Sequence, residues 1–137
     1  MKLLIDTNII IDAMASRSPW NKSAEALILA IAEEKAEGYI TAKTFTDIHY
    51  ILRKHIMDKT KLKEKLLGLL TVVTALDVYG NDCEKAFELP VADYEDAFLA
   101  CCGKRHKVDF IVTRNIKHFD GSPVKAVEAG DILKQLQ

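Results

Sequence analysis

The chain has 137 residues, 49% of them hydrophobic, and a formal net charge of −1. That length suits one domain with a true core, and every apolar run falls short of the roughly 18 residues a membrane helix needs. A lone Lys runs straight into Leu-Leu-Ile-Asp, which is not a secretory signal, and Cys83, Cys101 and Cys102 form no C-x-x-C pair, so they read as reduced thiols of a cytoplasmic protein.

The first apolar run, Leu3 to Ile5, stops at Asp6; Thr7 and Asn8 follow, and a second run, Ile9 to Ile11, begins. This predicts a buried strand ending in a carboxylate, a turn, and a helix over Ile9 to Ala15 with Asp12 at its exposed end. Ser16 to Trp20 reads as a loop broken by Pro19. Asn21 or Ser23 caps a helix reaching about Glu37, with Ala24, Leu27, Ile28, Ile31 and Ala32 at helical spacing and Gly38 as its terminator. Tyr39 to Thr41 is a short strand. Thr44 opens a helix with Asp47 at capping-box spacing, and Phe45, Ile48, Ile51, Leu52 and Ile56 form its apolar face.

A further helix spans about Leu62 to Leu70, approached by a solvated run of Lys59, Lys61, Lys63 and Lys65. Val72 to Leu76 is the third strand. Gly80-Asn81 turn the chain, and Asp82 caps a helix through Leu89 that Pro90 closes. Asp93 caps the helix Tyr94 to His106, whose inner side carries Ala97, Phe98, Cys101 and Cys102. Asp109 to Thr113 and Val124 to Val127 are the remaining strands, and Ile132, Leu133 and Leu136 mark the last helix. With no repeat or linker, residues 1–137 form a single α/β domain with a mainly parallel sheet.

Parallel strands end, and the helices after them begin, at one edge of the sheet, where such folds bind ligands. Asp6, Asp47, Asp96 and the segment Thr113-Arg114-Asn115 all fall at that edge. Taken singly, each acid has a structural explanation: Asp6 and Asp93 as helix caps, Asp47 as a charge favoured near a helix N-terminus, Asp96 as a solvated side chain. Together they repel, by on the order of 4 kcal/mol for two carboxylates about 4 Å apart at an effective dielectric of 20. Protons or a cation must compensate. All-oxygen ligands favour Mg²⁺ or Mn²⁺, and carboxylate-held divalent ions are the usual machinery of phosphodiester hydrolysis.

His49, His55, His106 and His118 show no metal-ligand spacing and read as surface or satisfied histidines. No nucleophile elbow and no phosphate-binding glycine loop occurs. Lys104, Arg105, Lys107, Arg114 and Lys117 concentrate basic charge in the last third, so net charge neither supports nor excludes a nucleic-acid substrate. Arg114, Lys117, Lys43 and Arg53 are the candidates to steer phosphates, Arg114 first because it directly follows the fourth strand.

Leu4-Ile-Asp-Thr-Asn-Ile9, Thr46 to Lys54, Asp93-Tyr-Glu-Asp-Ala97 and Ile111-Val-Thr-Arg-Asn115 with Phe119 together resemble the PIN-domain ribonucleases, in that family's order and spacing and over essentially the whole chain. Many small members are VapC-like toxins of toxin–antitoxin pairs. The resemblance implies a three-layer α/β/α sandwich and a Mg²⁺- or Mn²⁺-dependent endoribonuclease. It assigns metal-ligand and catalytic roles to Asp6, Asp47 and Asp96, with Asp47 where glutamate is commoner. Asn8, Thr113 and Asn115 take supporting or water-positioning places, Asn115 standing where many members have a fourth acid. RNA is the implied substrate, an antitoxin the implied partner, and a homodimer the implied assembly. The competing expectation is a weak or inactive module that binds RNA or a partner protein, such as an antitoxin inserting an Arg or Lys into the acidic pocket.

Overall fold

The computed structural model describes residues 1–137. Five short strands, β1 (Lys2–Ile5), β2 (Glu37–Thr41), β3 (Thr74–Leu76), β4 (Phe110–Val112) and β5 (Ala126–Val127), alternate with seven helices. These are α1 (Thr7–Met14), α2 (Asn21–Ala32), α3 (Ala42–Leu52), α4 (Lys59–Val72), α5 (Gly80–Glu88), α6 (Tyr94–Arg105) and α7 (Ala129–Gln135), with a 3-10 turn at Ile116–Phe119. The strands form one sheet in the order β3-β2-β1-β4-β5, and every pair is parallel. From β1 the chain steps outward to β2 and β3, then returns to β4 on the other side. The order therefore reverses at β1, which makes the ends of β1 and β4 the place for a ligand crevice.

The two faces of the sheet follow from the period-2 geometry of a strand. Leu3 and Ile5 point into a core of twenty buried residues with α1, α2, α3, α4 and α7; Leu4, between them, points to the other face with Leu99 and Ala100 of α6. A third cluster, Ala86, Val91, Ala97, Phe98 and Cys102, joins α5 to α6. This is the expected three-layer α/β/α sandwich. Burying each large aliphatic side chain contributes roughly 1.5–3 kcal/mol.

Several local expectations shift. Helix α2 ends at Ala32 rather than near Glu37, and the chain turns at Glu34 with φ of +61°. Gly38 lies inside β2 instead of ending a helix. A Cβ there would meet Ile31 Cδ1 at 2.8 Å, so glycine allows α2 to lie close against the strand. Helix α3 opens at Ala42, not Thr44: Thr41 Oγ1 accepts from the Thr44 backbone N–H at 3.0 Å, which places Asp47 beyond the capping box. Helix α4 starts at Lys59, capped by Asp58, and runs through Val72. Asp82 is not the cap of α5. It sits one turn in, accepts the Tyr79 N–H at 2.7 Å, and is 1% exposed. Asp12, expected at an exposed helix end, is fully buried.

Candidate active site

The ends of β1 and β4 are tied together around Asp6. Its backbone N–H donates to Val112 O at 2.9 Å, continuing the ladder one residue past β1. Asp6 then caps α1: Oδ1 accepts from the Thr7 N–H at 2.8 Å. Oδ2 accepts from the Thr113 hydroxyl at 2.8 Å and from Asn8 Nδ2 at 3.5 Å. Asn8 Oδ1 accepts from the Arg114 N–H at 3.4 Å, and Thr113 Oγ1 accepts from the Asn115 N–H at 3.0 Å. The cap and the site residue are thus the same side chain. A helix N-terminus and three donors hold one carboxylate at the crevice.

This carboxylate opens onto a cleft of about 570 Å³ whose walls include Asp6, Asn8, Asp47, Asp96 and Asn115. Asp96 comes from α6, whose N-cap Asp93 accepts the Asp96 N–H at 3.0 Å. Its Oδ2 stands 3.1 Å from His118 Nδ1. Asp47 comes from α3 and pairs with Lys43 Nζ at 2.7 Å. The three acids of the sequence reading therefore share one cavity, although they do not form a closed cluster of ligands.

Electrostatics separates the acids. Burial pushes the Asp6 carboxyl above its ordinary value, against the opposing pull of the Thr113 and Thr7 hydrogen bonds. Asp96 is pushed up to about 6, first by burial, then by the charges of Asp6 and Asp93, with His118 opposing. A carboxyl raised by burial and by two neighbouring carboxylates marks an acidic cleft in which a cation would be stabilised. The donors are all oxygens, which suits a hard divalent cation such as Mg²⁺ or Mn²⁺. By that chemistry the residues present fit one.

The predicted phosphate-steering residues fare unevenly. Arg114 does not line the cleft. Its Nε and Nη2 donate to the two oxygens of Asp12 at 2.6 and 3.2 Å, and its guanidinium lies 4.0 Å from the centre of the Trp20 ring. Lys117 is not on the wall either, whereas Lys43 is. Arg17, which the sequence did not single out, lines the cleft and also reaches Asp12 at 2.9 Å and Asn8 O at 3.4 Å. Asp93, Glu95 and His118 are further wall residues that spacing alone did not mark for the site. His118 is satisfied as expected, but by an acid of the cleft.

A family model described as PIN domain matches residues 2–117. The chain belongs to the PIN domain family. No curated protein matches it in sequence. Among solved structures, VapBC2 of Rickettsia felis, bound to a DNA fragment from its promoter, superposes with a TM-score of 0.68 at 19% identity, covering 93% of this chain and 98% of that one. VapBC-1 of nontypeable Haemophilus influenzae gives 0.67 at 17% identity, over 95% and 99%. VapC20 of Mycobacterium tuberculosis, a sarcin-ricin loop cleaving toxin, gives 0.62 at 14% identity, over 80% and 86%. At these identities the likeness is one of fold. This PIN domain has the sandwich of VapC-type proteins, with Asp6 at the end of the central strand.

Proposed function

We propose that this PIN domain is a metal-dependent endoribonuclease and the toxin of a toxin–antitoxin pair. The observation that carries the reading is the convergence of Asp6, from the end of β1, Asp47, from α3, and Asp96, from the start of α6, on the wall of one cleft. Asp6, Asp96 and Asp47 are the groups that would hold Mg²⁺ or Mn²⁺. When bound, such an ion supplies an acidified water and positive charge for the oxygens of a phosphodiester undergoing in-line displacement.

The chain's own side chains do the rest. Thr113 and Asn8 keep the Asp6 carboxylate in one orientation through their hydrogen bonds. Asn115, on the wall, orients water without adding charge. Arg17 and Lys43 meet the phosphate backbone, while Arg114 neutralises Asp12. Hydrolysis in this sense leaves a 5′-phosphate and a 3′-hydroxyl. RNA as substrate and an antitoxin as partner are supported by a toxin–antitoxin complex and a sarcin-ricin loop cleaving toxin among proteins of the same fold.

A second reading, a PIN module with little catalysis that acts by binding, is favoured by Lys43 holding Asp47 and by the neutral Asn115. One experiment divides the two. Purified protein is incubated with structured and single-stranded RNA plus Mn²⁺ or Mg²⁺, beside an Asp6→Asn control. Metal-dependent cutting that the variant lacks supports the nuclease. RNA binding without cutting supports the module, and equal cutting by both proteins points to a contaminant.

A further inference from the structure

Lys43 sits where helix energetics disfavours it. It lies in the first turn of α3, whose N-cap is Thr41, and a cation there opposes the positive end of the helix dipole. The pair with Asp47 also runs in the less favourable i,i+4 direction, cation before acid. The reason for its placement lies across the cleft. Its Nζ stands 2.7 Å from Asp47 Oδ2, and it shares the cleft wall with Asp6, Glu95 and Asp96. An ordinary lysine is an ammonium at neutral pH, so this side chain brings a positive charge directly onto a cleft carboxylate.

Both partners of the pair are solvent-accessible, 41% and 43% by side chain. Exposed pairs of this kind contribute about 0.2–1 kcal/mol, so breaking this one costs the fold little. A tethered cation on a flexible stem, bound weakly to one carboxylate of a metal-ligand set, competes with any ion that needs the same oxygens.

We propose that the Lys43 ammonium is a built-in competitor for the divalent cation at Asp47, one that balances the cleft's charge when the ion is absent and must be displaced for the ion to take Asp47. This rests on the metal-dependent reading above. It weakens metal loading by a constant factor, because part of each ion's binding energy is spent in parting Lys43 from Asp47. The same displacement leaves a free ammonium on the wall that RNA phosphates approach.

The test measures Mn²⁺ affinity of the full chain without RNA, by isothermal titration calorimetry or by loss of the free-ion EPR signal. Lys43→Met tightens Mn²⁺ binding by about 1.4-fold to fivefold, the range set by an exposed ion pair. Lys43→Gln, which keeps a polar stem, shifts affinity in the same direction. Lys43→Arg keeps the charge and stays near the wild-type value. In an Asp47→Asn background Lys43→Met changes nothing, because the shared ligand is gone. Equal affinity in wild type and Lys43→Met, with Mn²⁺ still bound, overturns the competitor alone. A shift that persists with Asp47→Asn overturns its assignment to Asp47. If no variant binds Mn²⁺, the metal reading itself falls, and the competitor with it.

Discussion

Thr113 donates its hydroxyl hydrogen to Asp6 Oδ2 at 2.8 Å, joining residues 107 positions apart in the chain. Thr113 is itself fully buried, and its Oγ1 also accepts from the Asn115 N–H. Groups that orient a ligand carboxylate typically account for about 10–100-fold in metal affinity or activity. Thr113→Val preserves shape and removes the donor. We expect a loss within that range in Mn²⁺ affinity and RNA cleavage, with the circular dichroism spectrum intact. Unchanged affinity would show that Asp6 needs no orientation from β4.

Asp6 is cap and site at once, and two substitutions separate the roles. Asparagine caps helices about as well as aspartate. Asp6→Asn therefore keeps the α1 cap, removes one of the charges pressing on Asp96, and abolishes cutting. Without metal its melting temperature equals or exceeds the wild-type value. Asp6→Ala loses the cap too, and falls below Asp6→Asn by about 1 kcal/mol in urea unfolding. An Asn variant as unstable as the Ala variant would mean the ionised carboxylate is needed by the fold itself.

Asp12 binds two guanidiniums, Arg17 at 2.9 Å and Arg114 at 2.6 Å, from a fully buried position. Removing one member of a buried pair costs about 3–5 kcal/mol. Asp12→Ala should lie near the lower bound, because both arginines keep some contact with solvent. Chemical denaturation measures it. A cost under about 0.5 kcal/mol, the level of an ordinary surface change, would remove Asp12 from the supports of the crevice.

Asp82 gives the fold an acid limit. Burial alone would raise its carboxyl. Hydrogen bonds from Arg105 at 2.7 and 3.1 Å, from the Tyr79 N–H and from Cys102 Sγ outweigh that and hold it at about 2, below its ordinary 3.8. The unfolded chain thus takes up this proton first as pH falls. The contribution is complete above the ordinary value and disappears as pH drops through about 2. Arg105→Gln is less stable than wild type at neutral pH, and the gap narrows through this window. A gap independent of pH would mean Arg105 acts by packing on Tyr79, over whose ring it lies at 3.8 Å.

Much of the site was legible in the sequence. An apolar triplet ending in Asp6, the cap at Asp93 ahead of Asp96, and the strand ending at Thr113 are local patterns. A parallel sheet sends all such strand ends to one edge, so their convergence followed from the alternation of elements. The ends of the helices were less legible. Gly38 reads as a helix stop in one dimension, but Glu34 supplies the left-handed turn, and the glycine is needed where Ile31 presses on β2.

What local pattern and strand polarity determined was the sandwich and the sheet edge on which the acids gather. Only the tertiary structure decided which charges are neutralised and by whom. Asp12 reads as an exposed helix end because one of its two partners, Arg114, lies 102 positions away and meets it only once β4 is laid beside β1. Periodicity reports which face of an element is buried, whereas the partner of a charge depends on which strands become neighbours, and that choice is made by the sheet as a whole.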